Sequence, residues 1–296
     1  MLDDISDYRL DVAAARRAFD RASASFDAAA VLQAEIRGEL LQRLDLTALA
    51  PAVVLDAGAA TGRASALLKR RYPRARVLAV DASLPMLRVA RTRSSWLRPF
   101  DRIAADAERL PLGDASVDLI FSNLLLPWCD PERLLAEFRR VLAPRGLLTL
   151  SAFGPDTLCE FRQAWSEVDA AVHVHRFIDM HDLGDAMVRA GFAAPVLDVE
   201  RLTLTYTDLR AVAADLRAVG ASNASRARPQ GLTGRGKFAR LAGAYEAFRA
   251  DGRLPASYEI VFGQAWAPAA GEPSRRRDAT VSLADLRREL PGRKRS

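Results

Sequence analysis

Val53-Val54-Leu55-Asp56-Ala57-Gly58-Ala59-Ala60-Thr61-Gly62 decides how the rest of the chain is read. An apolar run ends in an acid, a glycine-bearing turn follows, and helical spacing begins at Arg63. An unbroken apolar run fits a strand buried on both faces, as in a parallel sheet. The turn glycines let the backbone come close to a ligand. The helix start offers free N–H groups and a partial positive charge. Such a joint holds a nucleotide-like molecule at the C-terminal edge of a parallel sheet. It is not the dinucleotide fingerprint G-x-G-x-x-G, because only Gly58 and Gly62 are glycines. Asp56 at the strand end would repel a pyrophosphate and suits the ammonium of an amino-acid moiety.

Working outward, Arg76 to Asp81 is a second apolar strand ending in an acid. In a doubly wound sheet that acid reaches the ribose hydroxyls of a nucleoside. Ser83 caps the next helix, and Met86 on its first turn is placed to cover adenine. Ala105-Asp106-Ala107-Glu108-Arg109-Leu110-Pro111-Leu112 follows, and then Val117 to Asn123, a strand whose Ser122-Asn123 end leads to the rim of a site. The first stretch resembles motif I of class I S-adenosylmethionine-dependent methyltransferases, read as D-x-G-x-G-x-G, and departs from it at Ala60. The resemblance implies that Asp106, with Ala107 beside it, takes the adenine amino group. The cofactor residues expected from both readings are Asp56, Gly58, Gly62, Asp81, Ser83, Met86, Asp106, Ala107, Ser122 and Asn123.

With 296 residues, half of them hydrophobic, the chain is long enough to bury a sizeable core. No apolar run approaches the roughly 20 residues that span a bilayer, so no membrane contact is expected. The N-terminus carries Asp3, Asp4 and Asp7 rather than a basic-then-apolar leader. The Arg/Ala-rich stretch 12–24 is flanked by Asp11 and interrupted by Asp20, which argues against an organellar leader. Cys129 and Cys159 give no disulfide framework, and the expected compartment is a reducing cytoplasm. The net charge of +6 is unevenly spread. Residues 216–240 hold six cations (Arg217, Arg226, Arg228, Arg235, Lys237, Arg240) and no acid, and 272–296 hold eight basic and four acidic residues. Aromatic residues are not interleaved with these charges, so nucleic-acid binding is not expected.

Strands near 53–57, 76–81, 100–105, 117–122 and 146–151 alternate with helices near 63–71, 83–93 and 131–142. That rhythm predicts a doubly wound, mostly parallel α/β sheet. Beyond it the pattern gives helices over 155–171 and 182–190 and strands over 196–206 and 258–266, for seven strands in all. The last two form an antiparallel hairpin interrupted by about 50 residues of helical pattern. Residues 8–46 read as two helices. The expected organisation is an N-terminal helical lid over 1–46, a core over 47–206 and 255–267, an inserted helical cap over 207–254, and a basic, disordered tail over 268–296 with a helix near 282–289.

Outside the core, Phe19 to Asp27 with Leu32-Gln33, Ser122-Asn123-Leu124 with Trp128-Cys129, Gly154 to Leu158 and Val172 to Phe177 carry a narrower likeness. With Asp215-Leu216-Arg217 and Leu254 to Glu259, they resemble the malonyl-acyl carrier protein O-methyltransferases of biotin synthesis. Phe26 and Pro127 depart from the family's frequent Tyr and Gln. The same signatures occur in a methyltransferase-like arginine hydroxylase that assembles respiratory complex I, which is the alternative reading. The main likeness implies S-adenosylmethionine as cofactor, methyl transfer to a free carboxyl, and an acidic acyl carrier protein as partner. The basic segment 216–240 is expected to dock that carrier through Arg226, Arg228 and Arg235. A carboxylate nucleophile is already ionised near neutral pH, so no general base is needed. The groups expected to orient it are His173, Tyr206 and Arg217, with Arg176 as a further candidate. His173, His175 and His181 lie close together with Asp179, but their spacing reads as pocket-lining and capping rather than as a metal site.

Overall fold

In the computed structural model, residues 10–229, 231, 233–269 and 271 are described. The decisive stretch is β1 (Val53–Ala57) running into α4 (Arg63–Arg71). The other parallel strands are β2 (Arg76–Asp81), β3 (Asp101–Ala104), β4 (Val117–Asn123) and β5 (Leu142–Phe153), with α5 (Leu84–Arg91) and α6 (Pro131–Val141) among the crossovers. α7 (Cys159–Ser166) and α8 (Met180–Arg189) lead to β6 (Ala193–Tyr206) and, after the insertion, β7 (Leu254–Trp266). The seven strands stand in the order β3-β2-β1-β4-β5-β7-β6. β7 runs antiparallel to both β5 and β6. From β1 the chain winds outward to β2 and β3, then returns to β4 on the other side. The crevice at that reversal, beyond the C-terminal ends of β1 and β4, is where such sheets bind ligands.

Alternation along the strands sends neighbouring residues to opposite faces. Val54, Val77, Leu119 and Phe262 pack with Leu32, Ile36 and Leu40 on one face. Leu55, Leu78, Ile120 and Val261 pack with Leu134, Phe138 and Met187 on the other. Burial of a large aliphatic side chain contributes about 1.5–3 kcal/mol, so these two layers are the main source of stability. The insertion folds as α9 (Leu209–Ala218) and α10 (Arg235–Glu246). Its Leu209, Val212, Leu241 and Tyr245 share a third cluster with Trp165 and Leu254. No helix among the described residues is long and apolar enough to cross a membrane. Both cysteines are free.

Several boundaries differ from the sequence reading. The N-terminal segment makes α1 (Val12–Ala22), α2 (Phe26–Ala29) and α3 (Val31–Arg43) rather than two helices. The break comes where the Ser23 and Ser25 hydroxyls donate back to the carbonyls of Asp20 and Ala22, as serine does when it competes with helix hydrogen bonding. α3 packs on the sheet and lends Leu32, Gln33 and Arg37 to the cavity wall, with α1 and α2 beside it. The helix expected over 155–171 is shortened to α7. Glu259 accepts the Asp156 N–H at 2.7 Å, and Leu158 is left-handed with φ 55°. β5 runs through the expected stop at Pro144-Arg145-Gly146, with Arg145 at φ 62° donating its N–H to Ala267. From 272 onward the expected basic tail and its helix lie outside the described residues.

Candidate active site

A cavity of about 690 Å³ opens over the C-terminal ends of β1, β2, β4 and β5. Of the expected cofactor residues, Asp56, Gly58, Asp81, Ser83, Met86, Asp106, Ala107 and Asn123 are on its wall. Gly62 and Ser122 are not among the lining residues. Gly62 is left-handed at φ 74°, and a Cβ there would stand 2.8 Å from the Ala90 Cβ and 3.2 Å from Phe100, so its bareness serves packing. Ser122 is buried within β4. Of the substrate candidates, His173 and Arg217 line the cavity, whereas Tyr206 and Arg176 do not.

The loop after β1 is fixed by carboxylates. Asp56 is buried and accepts the Ser65 hydroxyl at 2.5 Å, which ties β1 to α4. Burial pushes its carboxyl up to about 7, because the charged form loses its hydration. Asp81 accepts the N–H of Ala60 at 2.8 Å and of Ser83 at 2.7 Å. Burial raises it as well. Its oxygens retain lone pairs toward the cavity after those two bonds. Ala60, standing where the motif has its middle glycine, takes the left-handed backbone with φ 45°. The lid reaches the same loop: Ser83 donates to Asp20 at 2.6 Å, Thr61 donates to Asp27 at 2.7 Å, and Arg93 also pairs with Asp27.

Two residues without an expected role stand on α3. Gln33 and Arg37, four residues apart and so on one helix face, both line the cavity. The Gln33 Oε1 atom is buried with no hydrogen-bond partner. Arg37 makes no ion pair with a described residue, and burial, followed by the nearby Arg63, lowers its affinity for the proton. The spacing was visible in the sequence, but it is the same as that of any solvated helix face. Asn123 joins α3 to β5 instead of presenting its side chain freely: it donates to the Gln33 carbonyl at 3.1 Å and accepts from Ser151 at 2.9 Å.

The far wall is aromatic. Phe19, Trp128, His175, Phe177 and Phe153 form a row of ring contacts with centroids 4.8 to 5.5 Å apart. His175 is a neutral member of it, its pKa pushed down to about 4 chiefly by burial. His173 lies elsewhere, stacked flat on Trp165 at 3.4 Å, with Nε2 2.7 Å from Asp169. His181 is exposed beside Asp179, the cap of α8. The three histidines therefore do not converge, and among the described residues no three His, Cys, Asp or Glu side chains are grouped to hold a metal. Tyr206 donates to Asp215 at 2.7 Å, and it is Asp215 that reaches the cavity.

Residues 55–150 match a family described as a methyltransferase domain. The chain is 52% identical over 270 residues to the malonyl-acyl carrier protein O-methyltransferase of Methylovorus sp. (strain MP688), covering 89% of this chain and 91% of that protein. It is 50% identical over 290 residues to the protein of the same name from Laribacter hongkongensis, covering 95% and 97%. This chain belongs to the malonyl-acyl carrier protein O-methyltransferase family. Among solved structures it is similar to the YcgJ protein of Bacillus subtilis, with a TM-score of 0.56 at 18% identity over 77% of this chain and 97% of that one. That likeness speaks for the fold. The sevenfold strand order and the cavity at the strand reversal agree with it.

Proposed function

We propose that the protein transfers a methyl group from S-adenosylmethionine to the free carboxyl of malonyl-acyl carrier protein. The observation that carries this reading is the extent of the relationship: half the positions are identical across 95% of the chain, so the likeness takes in lid and cap as well as sheet. It favours methyl transfer over the arginine hydroxylase alternative. The ester disguises the charged end as an apolar one, so that fatty-acid elongation in the cytoplasm starts the pimeloyl part of biotin.

The residues present fit the cofactor. Among the described residues Gln33 Oε1 is a buried acceptor without a partner and the Arg37 guanidinium makes no ion pair, and the two are complementary to the ammonium and carboxylate of an amino acid. Asp81 stands at the second strand end, where a ribose is held, with Met86 and Asp106 on the same wall. When bound, the cofactor supplies a methyl group on a sulfonium, an electrophile that a carboxylate attacks directly. The protein's part is to hold the carboxylate in line and to keep water out. The lid and the aromatic row exclude water. His173 supplies the donor for the carboxylate inside the cavity, and Tyr206 acts only through Asp215.

The carrier is acidic, and the cations that meet it are those not already engaged. Arg228 pairs with Asp11 at 2.9 Å, Arg226 donates to the Leu10 carbonyl at 3.2 Å, and Lys237 pairs with Asp169 at 2.8 Å. Arg217, Arg235 and Arg240 are exposed and make no ion pair with a described residue. Docking is therefore assigned to these three rather than to Arg226 and Arg228. The reaction is tested with methyl-labelled cofactor and malonyl-carrier protein. The expected result is label on the carrier in a base-labile ester. A folded, cofactor-binding protein that leaves the carrier unlabelled overturns the reading.

A further inference from the structure

Asp169, in the segment after α7, is bound from two sides. Its Oδ1 lies 2.7 Å from His173 Nε2, and its Oδ2 lies 2.8 Å from the Lys237 ammonium on α10. These two partners, Lys237 first, hold its carboxyl far below the usual range. His173 is fixed a second time by its ring, which lies on Trp165 with an angle of 6° between the planes. The side chain is only 11% exposed, yet it lines the cavity. Because Nε2 is committed to Asp169, Nδ1 is the polar atom it has left. Nδ1 bonds to no described residue and is not among the enclosed orphan atoms.

An imidazole held in this way has one purpose that the aromatic wall cannot serve. A carboxylate entering a cavity lined by Phe161, Trp165 and Phe177 leaves water, and it needs a charged donor inside. With Asp169 accepting from Nε2–H and His173 on the cavity wall, an N–H at Nδ1 is the donor that the ring can offer a carboxylate. Arg217 is exposed and sits at the mouth, so it meets the substrate on entry instead.

We infer that Asp169 and Lys237 are positioning residues: they hold the His173 ring so that Nδ1–H receives the free carboxyl of the substrate, and so make the site selective for an acid over its amide. This rests on the proposed reaction. It also makes α10 part of substrate recognition, because Lys237 reaches Asp169 from the cap.

The test is binding of malonyl-pantetheine, and of the same thioester with its terminal carboxyl replaced by a carboxamide, to the full chain loaded with S-adenosylhomocysteine, which has no methyl group to transfer. The parent should prefer the acid by about 10-fold or more, the usual weight of one charged hydrogen bond. His173→Gln should remove that preference, and Asp169→Asn should remove most of it. Asp169→Glu should restore part of it, and Lys237→Met should weaken it less. Asp169→Asn combined with His173→Gln should lose no more than His173→Gln alone, because Asp169 acts through the ring. S-adenosylmethionine affinity should stay unchanged throughout, which separates the assignment from misfolding. A parent that binds acid and amide equally, or an Asp169→Asn that keeps the preference, overturns it. Missing methyl transfer with the acid preference intact would count against the proposed reaction and not against this assignment.

Discussion

The two glycines of the cofactor loop should fail in different ways when given a methyl group. Both are left-handed at φ 74°. At Gly62 the added Cβ meets Ala90 Cβ at 2.8 Å and the rim of Phe100 at 3.2 Å, and neither neighbour has a flexible end to move away. The left-handed backbone costs about 1–2 kcal/mol, and overpacking adds roughly 1–3 kcal/mol. We expect Gly62→Ala to lose about 2–5 kcal/mol in urea unfolding, or roughly 2–4 °C in Tm for each kcal/mol. The protein that remains folded should bind S-adenosylmethionine with the parent's affinity, because Gly62 is off the cavity wall. At Gly58 the new methyl would stand 3.0 Å from both the Cβ and the Cδ1 of Leu125, a milder overlap than at Gly62, but on the wall itself. Gly58→Ala should therefore be destabilised less and lose at least about 10-fold in cofactor affinity, or 1.4 kcal/mol. Calorimetric titration at a temperature where both variants are folded reads the affinity. If Gly62→Ala weakens the cofactor as much as Gly58→Ala, or unfolds within about 1 kcal/mol of the parent, the division between packing and binding glycines is wrong.

Arg37→Met should weaken S-adenosylmethionine by about 1.5–3 kcal/mol, the loss of one charged partner, while adenosine binding is unchanged; equal losses for the two ligands would place Arg37 at the nucleoside instead. Asp81→Ala should cost a similar 1.5–3 kcal/mol for both ligands, and calorimetry that finds neither affected would move the ribose elsewhere. Asp56 makes the ligand-free protein pH-sensitive. Its folded pKa of about 7 lies above the ordinary 3.8, so its relative stabilisation is full below that ordinary value and is lost as pH rises through 7. Urea unfolding between pH 5 and pH 8 should show that decline, and Asp56→Asn should flatten it; an unchanged slope in the variant would remove Asp56 as the cause.

The alternation of strands and helices from 53 to 151 was legible because it is written in apolar periodicity and in strand-end acids. β1, β2, α4 and α6 begin and end within a residue of where Val53, Asp81, Arg63 and Asp130 put them. The joints that escaped are set by long-range partners. Nothing near Pro155 signals that Glu259, a hundred residues away, will hold Asp156 out of a helix. Nothing near Arg145 signals that Ala267 will draw β5 through a turn sequence. The site divides along the same line. Asp56, Gly58 and Asp81 were readable because the strand–turn–helix joint fixes their place. Gln33, Arg37 and Asp169 were not, because each gains meaning only from what packs opposite it. Tyr206 shows the converse: it has the right chemistry for a carboxylate, but its hydroxyl is committed to Asp215.

We propose that α1 and α2 are the part of the cavity wall that opens to release product, because they are held differently from α3. α1 and α2 are fastened to the cofactor loop through Asp20 and Asp27 and to the cap through Asp11–Arg228 and the Ser25 hydroxyl on the Ala218 carbonyl. Ser83 and Thr61 are buried and the Asp27–Arg93 pair is partly buried, whereas the Ser25 contact is exposed. The apolar anchors of this segment are the small buried side chains Ala15, Ala18 and Ala22 and one ring, Phe19, against Trp128 at 4.9 Å. α3 is different, because Leu32, Ile36 and Leu40 are buried in the sheet layer. The break at Ser23–Ser25 thus separates a segment held by polar ties, small side chains and one ring from one held by large side chains in the sheet layer. Only the first can open without unfolding the sheet. Gln33 and Arg37 stand on the fixed side of that break and Asp20 and Phe19 on the other, so an opening of α1 and α2 would leave the Gln33–Arg37 end of the cavity in shape.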